Sequence, residues 1–399
     1  MNNTTPASPH VLPLPEKTSL RLGYVRLTDS APLIVARELG FYAEYGLDVE
    51  LERQSTWANV RDKIAAGYLD AAHMLAPMLL TTTLGLGGIR TPLLTGLALS
   101  SNGDAITMTN ELASQIGGIN RDFTSLDDAR NSARKLANVI ANSRQTLTLA
   151  SVHPFSTHSI ILRMWLRSGG INPDQDVRII VLPPEQMVDS LSRGMIDGFC
   201  AGEPWSTRSV QYGVGSVVAT GYQVWNNAPE KVLGVTQDWH AKNPCTHLRL
   251  RLALMRAAQW LDQAENRNDA AHMLSGKEYL DIPEIELLPS LTGQMRFSRN
   301  EESVQINCFH LFSRRSTGFP WRSDANQILQ QVELQIERTL AVGQKQALIQ
   351  ECYRPDLYRA AARELGIPSP DQDKKEINRH DQPWTTGDGQ ELGADFCLD

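Results

Sequence analysis

Two successive series of short apolar runs, each run followed by a segment of helical period, constrain this chain more than any other feature. Such alternation predicts an α/β fold, because each buried strand needs the helix that returns the chain to its sheet. The first series reads LRLGYV (20–25), a helix opened at Ser30 and ended at Gly46, LDVELER, a helix over 56–66, LDAAHM, TPLLTGLAL and AITMT (105–109). TPLLTGLAL is apolar enough for a strand buried on both faces. Residues 110–145 are polar, with GGIN at 117–120 and the charged helix SLDDARNSARKLANVI. The second series reads TLASV, a helix over 156–167, VRIIVLP, a helix over 185–193, IDGFCAG, a helix opened by Pro204, VVATG and KVLGV. Beyond Cys245 the pattern turns helical, with Leu250, Leu254, Ala257 and Leu261 on one face and a further helix near Ala325. The predicted organisation is a disordered segment 1–18, lobe I from 19–106 and 231–330, lobe II from 107–230, and a helical extension 331–399 packed on lobe I.

Charge and cysteine usage narrow the function classes. There are 38 basic and 45 acidic residues, a net charge of -7, and a surface of that sign repels nucleic-acid phosphates. MNNTTPASPHVLPLPE has neither a basic region nor an apolar core, so it predicts no export signal and a cytoplasmic protein. No cysteine precedes Cys200, so no lipid anchor is expected near the start. Five scattered cysteines without CxxC spacing predict reduced thiols and no zinc. Residues 71–89 lack charge, but His73, Pro77, three threonines and three glycines break them, predicting a strand end, a buried helix and a turn rather than a membrane span. GxSxG, HExxH and the P-loop are absent, GLGG at 85–88 reads as a turn, and His153 and His158 do not share a helix face. No metal, no cofactor and no enzymatic activity are expected.

What remains is a pattern for binding. Trp57 follows QST at a strand-to-helix junction, where free N–H groups favour an anion; it fits a core tryptophan equally well. Asn102 and Gly103 follow a buried strand and fit a plain turn. Ser156, Thr157 and His158 open another helix after a strand, as do Gly202 to Trp205, and ordinary capping explains both. Lys231 begins the strand that returns between the lobes, where a solvated lysine is the simpler alternative. Taken together, helix N-termini that each follow a strand suit a cleft for a small anion in an open α/β sheet.

These segments resemble the nitrate- and bicarbonate-binding proteins of ABC transporters. The matching stretches are LRLGYVRLTDSAPLIVARELGFYAEYGLDVEL, QSTWANVRDKIAAG, LSSNGDAI, THSIILRMWLRSGGINP, IDGFCAGEPWSTRSV and APEKVLGVTQDWHAKNP, within residues 20–245. The resemblance implies the type II periplasmic-binding-protein fold with a helical C-terminal extension. It also implies a pocket for nitrate or nitrite in which Trp57 lines the anion, Asn102 stands where transport members tend to have glutamine, and Gly103 follows it. Thr157 and His158 are the next pocket residues, with His153 an alternative to His158, and Lys231 neutralises the anion. Transport members carry an export signal, so the chain is most similar to cytoplasmic nitrate/nitrite sensors of the NasS type. Those hold an ANTAR-domain, RNA-binding antiterminator inactive until the anion binds. The alternatives are the binding component of a nitrate/nitrite or bicarbonate importer and, more remotely, a thiamine-pyrimidine-synthase-like enzyme, whose cysteine-rich motif the lone Cys200 does not match.

Overall fold

The computed structural model describes residues 12–116 and 125–398. Residues 1–11 and the GGIN segment lie outside them. The strands are β1 Ser19–Val25, β2 Asp48–Gln54, β3 Ala71–Leu75, β4 Leu93–Leu94, β5 Ala98–Asn102, β6 Asp104–Thr109, β7 Thr148–Ser151, β8 Arg178–Val181, β9 Gly198–Gly202, β10 Gly215–Thr220 and β11 Pro229–Thr236. They form two sheets. In the first, β2, β1, β3, β11 and β5 are neighbours in that order, the short strand His310–Leu311 closes the β5 edge, and β4 pairs with β11. In the second the order is β10, β6, β9, β7, β8. β1 runs parallel to β2 and β3, and β7 parallel to β8 and β9, while β11 and β6 run antiparallel to their partners. This is the two-lobed α/β architecture that the sequence predicts.

Local chemistry explains the elements that carry the site. β3 and the helix after it use the uncharged stretch: β3 is wholly buried, and Ala76–Leu84 satisfies two of its threonines internally, Thr81 donating to the Pro77 carbonyl and Thr83 to that of Leu79. Among the described residues no helix is long and apolar enough to cross a membrane. In the second lobe, buried Trp165 donates its indole N–H to the Ala129 carbonyl at 2.9 Å, locking the helix Leu126–Asn142 against Thr157–Ser168.

The chain leaves the first sheet after Asn102 and enters the second at Asp104, so 104–106 belong to the second sheet instead of to lobe I as expected. The reversal is sharp because Asn102 and Gly103 both take left-handed backbone, at φ 60° and 83°. The return passes through the short helix Gly221–Val224 and rejoins the first sheet at Pro229, two residues before the expected Lys231.

Three further expectations change. Residues 12–18 are held in place: Glu16 accepts the Cys245 and Thr246 N–H groups at the start of helix Pro244–Leu261, and Lys17 pairs with Asp70 at 2.6 Å. Free N–H groups at a helix start draw a carboxylate, which orders the segment. The extension is helical over its first residues, which finish the helix Arg322–Gln335, and over Val342–Cys352 and Pro355–Leu365; beyond 365 it is irregular apart from a small hairpin, Trp384–Thr385 with Glu391–Leu392. It also reaches beyond the first sheet, since Asn226 N–H donates to the Phe396 carbonyl and Leu398 N–H to that of Val224, both at 2.8 Å. Finally, 294–309 leaves the first lobe and packs Met295, Phe297, Ile306 and Phe309 against Ala105, Val210, Val217 and Tyr222.

A side chain at Gly103 is therefore costly twice, through its φ and because a Cβ there would lie 2.9 Å from the His310 ring. Gly103→Ala is expected to lower stability by about 1–3 kcal/mol in urea unfolding. An unchanged midpoint would show that the crossing relaxes freely.

Candidate functional site

The site is assembled where the two sheets meet. Asp29 lies on the single turn Thr28–Ser30 that follows β1, and His73 lies in the middle of β3. Trp57 opens the helix Trp57–Ala65, fixed there because the Thr56 hydroxyl accepts the Asn59 N–H. His158 is the second residue of Thr157–Ser168, capped in the same way by Ser156, which accepts the Ser159 N–H. Asp104 is the first residue of β6, and Glu203 follows β9. Strand alternation would send Glu230 and Lys231 to opposite faces. The β11–β5 pairing slips on both sides of Lys231, and this irregularity accompanies the meeting of the two neighbouring side chains in one cluster.

These side chains form a continuous chain of charges. His73 Nε2 lies 2.8 Å from Asp29 Oδ1, and Lys231 Nζ donates to Asp29 Oδ2 at 2.7 Å and to Glu230 Oε1. Glu230 Oε1 in turn lies 2.6 Å from His158 Nε2. The ammonium stands 5.3 Å from the centroid of the Trp57 ring, which packs on His73. Every one of these groups is at most 1% exposed. The lobes are shut over them: Thr28 N–H donates to the Glu203 carbonyl at 2.9 Å, and Arg26 reaches Glu185 at the same distance.

Burial alone would raise the Asp29 carboxyl, but Lys231 and then His73 override it and hold the group far below the usual carboxylate range. Burial likewise opposes Glu230, which His158 and Lys231 bring down to about 2. The Lys231 ammonium is raised despite its burial, by Asp29 and Glu230. His73 is lowered, since desolvation outweighs Asp29. Two carboxyls go the other way. Burial, reinforced by the Glu230 charge, pushes Asp104 well above its ordinary value, and burial pushes Glu203 up to about 7. Asp104, His158 and Glu230 each bring one polar side-chain atom within 4.8 Å of the others. Trp57 Nε1 and both Asp104 oxygens have no hydrogen-bond partner.

Of the residues expected from the sequence, Trp57, His158 and Lys231 come together. Asn102 is adjacent to the lobe crossing but its amide donates to the Cys308 carbonyl at 2.8 Å, and Gly103 shapes the turn beside it. Thr157 spends its hydroxyl on the Pro229 carbonyl at 3.0 Å, which ties the second lobe to β11. His153, the alternative to His158, accepts from the Phe155 N–H and packs on that ring, outside the charge chain. Lys231 is not an unpaired cation, since two carboxylates already flank it. Sequence reasoning passed over Asp29, His73, Asp104 and Glu230. The EK pair of APEKVLG was the visible signal for Glu230; nothing in the sequence marked the other three.

Removing the ammonium leaves two buried carboxylates facing each other. Lys231→Ala is therefore expected to cost about 3–5 kcal/mol in stability, as breakage of a buried pair does. The folded-state pKa values of Asp29 and Glu230 are depressed, so their stabilisation is present above the unfolded value near 4 and is lost as pH falls through the folded values. In the variant that acid-side loss should shrink, which urea unfolding at about pH 7 and about pH 3 measures. An equal loss in both proteins would break the assignment.

Comparison with known proteins bears on this geometry. The model of the NMT1-like family matches residues 14–275. The chain is 37% identical over 373 residues to the nitrate import ATP-binding protein NrtC of Synechocystis sp., covering 92% of this chain and 53% of that one. It thus spans about half the length of that relative. It is 32% identical over 375 residues to the bicarbonate-binding protein CmpA of Synechococcus elongatus, covering 89% of this chain and 80% of CmpA. The crystal structure of the periplasmic nitrate-binding protein NrtA from Synechocystis superposes with a TM-score of 0.84 at 31% identity, covering 96% of this chain and 97% of that one. Two lobes closing on a buried lysine, matched along nearly their whole length by such relatives, place the chain in the NMT1-like family, among the nitrate- and bicarbonate-binding proteins of ABC transporters.

Proposed function

We propose that the chain is a receptor for a small planar monoanion, nitrate, nitrite or bicarbonate, and serves as the binding component of an importer for it. The observation that carries this is the buried Trp57 indole, whose N–H has no partner and whose ring centroid lies 5.3 Å from the Lys231 ammonium where the lobes meet. A desolvated oxyanion needs donors of this kind, each worth about 1.5–3 kcal/mol when charge-assisted, and micromolar affinity needs only about 8 kcal/mol. The anion enters between open lobes and competes with Glu230 and Asp29 for the lysine. Closure then excludes water, which strengthens every remaining contact. The role asks for binding and release, with no bond made or broken and no cofactor.

The sensor of nitrate or nitrite that holds an ANTAR-domain antiterminator in the cytoplasm would use the same switch. Its support is the sequence resemblance, whereas the importer reading is supported in addition by transport relatives that align over nine-tenths of the chain. Recovery of the tagged chain with importer membrane subunits favours the first; recovery with the antiterminator, released by nitrate, favours the second.

The binding role itself is tested by thermal shift with nitrate, nitrite, bicarbonate, sulfate and chloride. One of the first three should raise the midpoint saturably, by the equivalent of about 2.7 kcal/mol at a hundredfold excess over Kd. Trp57→Phe, which keeps the ring and loses the donor, should weaken that anion by about 1 kcal/mol, roughly fivefold. If none of the three stabilises the protein, it is not this receptor.

A further inference from the structure

The lobe junction carries an excess of acid. Asp29, Asp104, Glu203 and Glu230 are each at most 1% exposed, and the ammonium among them is Lys231. Asp29 and Glu230 share that ammonium and pair with His73 and His158. Glu203 accepts the Thr207 N–H at 3.0 Å. Asp104 has nothing: neither oxygen accepts a hydrogen bond, and the carboxyl is pressed on Gly221, where any Cβ would collide with it. An ionised carboxylate so placed would be desolvated without compensation and would repel an arriving anion.

Resting on the receptor reading, we propose that Asp104 closes over the anion as a neutral carboxylic acid whose O–H donates to an anion oxygen, so that one solvent proton enters the site with each anion. Protonation turns the group from an acceptor into a donor, and a nitrate ion offers only acceptors. The surroundings favour the neutral form from almost every side. Glu230 on β11, Asp29 on the turn after β1 and Glu203 after β9 all disfavour a further negative charge, while Lys231 opposes them. His158, close by on its helix, is engaged with Glu230, and the Cys200 thiol on β9 is itself pushed up by burial and by Asp104. With open lobes the same carboxyl is solvated and ionises in the ordinary range. Closure raises its affinity for a proton, so anion affinity must rise as pH falls between the open and closed values. The solvated and the closed forms of one carboxyl thereby make anion capture pH-dependent.

The test is titration calorimetry of the full chain with nitrate, and with nitrite and bicarbonate for comparison, with and without EDTA, at about pH 6, 7 and 8, in buffers of low and high ionisation enthalpy. The wild type should take up protons on binding, with affinity falling toward tenfold per pH unit. Asp104→Asn, an isostere of the neutral acid, should take up about one proton fewer, and its affinity should depend on pH correspondingly less. Glu203 titrates in both proteins and drops out of that difference. Wild type that binds nitrate without proton uptake overturns the proposal, whether or not the variant folds. So does equal uptake in a folded variant, or nitrate binding that EDTA abolishes, since a metal ion would then supply the charge. Binding of bicarbonate but not nitrate also overturns it, because the ligand then brings its own proton, and leaves the receptor reading intact. If none of nitrate, nitrite and bicarbonate binds, with or without EDTA, it is the receptor reading that fails.

Discussion

A single ammonium held between two carboxylates in a waterless junction is the interaction on which this protein turns. Desolvating Lys231, Asp29 and Glu230 is costly, and their mutual attraction offsets the cost only while all three stay in register. His73 and His158 extend the chain to β3 on one side and to the second lobe on the other. A charge chain of that length specifies geometry more than it adds stability, because any slip leaves a buried charge alone. It therefore couples the lobe junction to the position of the lysine.

The backbone around it limits how the lobes can part. The crossing at Asn102 and Gly103 is short and left-handed, and the return over 221–228 is bonded to the segment 394–398. Asn227 adds a side-chain bond to the Ala394 carbonyl at 2.8 Å. The excursion 294–309 crosses as well and buries its aromatic residues on the second lobe. Arg208 and Tyr212 of one lobe also meet Glu286 of the other. These are polar, partly solvated contacts of modest strength, of the kind that can break and re-form without unfolding either lobe. The geometry thus combines reinforced crossings with a separable set of polar contacts, which is what hinge closure over a small ligand requires.

The sequence by itself determined the two α/β series, the uncharged strand-and-helix segment, and three residues that do meet, Trp57, His158 and Lys231. Apolar periodicity and capping chemistry are local, so they can be read from neighbours a few positions apart. The boundaries failed by two or three residues where a turn reverses within two positions, and the terminal segments failed because long-range bonds order them. Only the tertiary structure decided which charges face the lysine. Asp29 lies 202 residues from Lys231, and no periodicity relates them. Glu230 was adjacent all along, yet strand alternation would place it on the other face, and it joins the cluster where the pairing of β11 with β5 is irregular. Whether a buried acid is paired or left alone depends on partners supplied by distant elements, and for that reason the cluster around Lys231 exists in the fold and not in the pattern of residues.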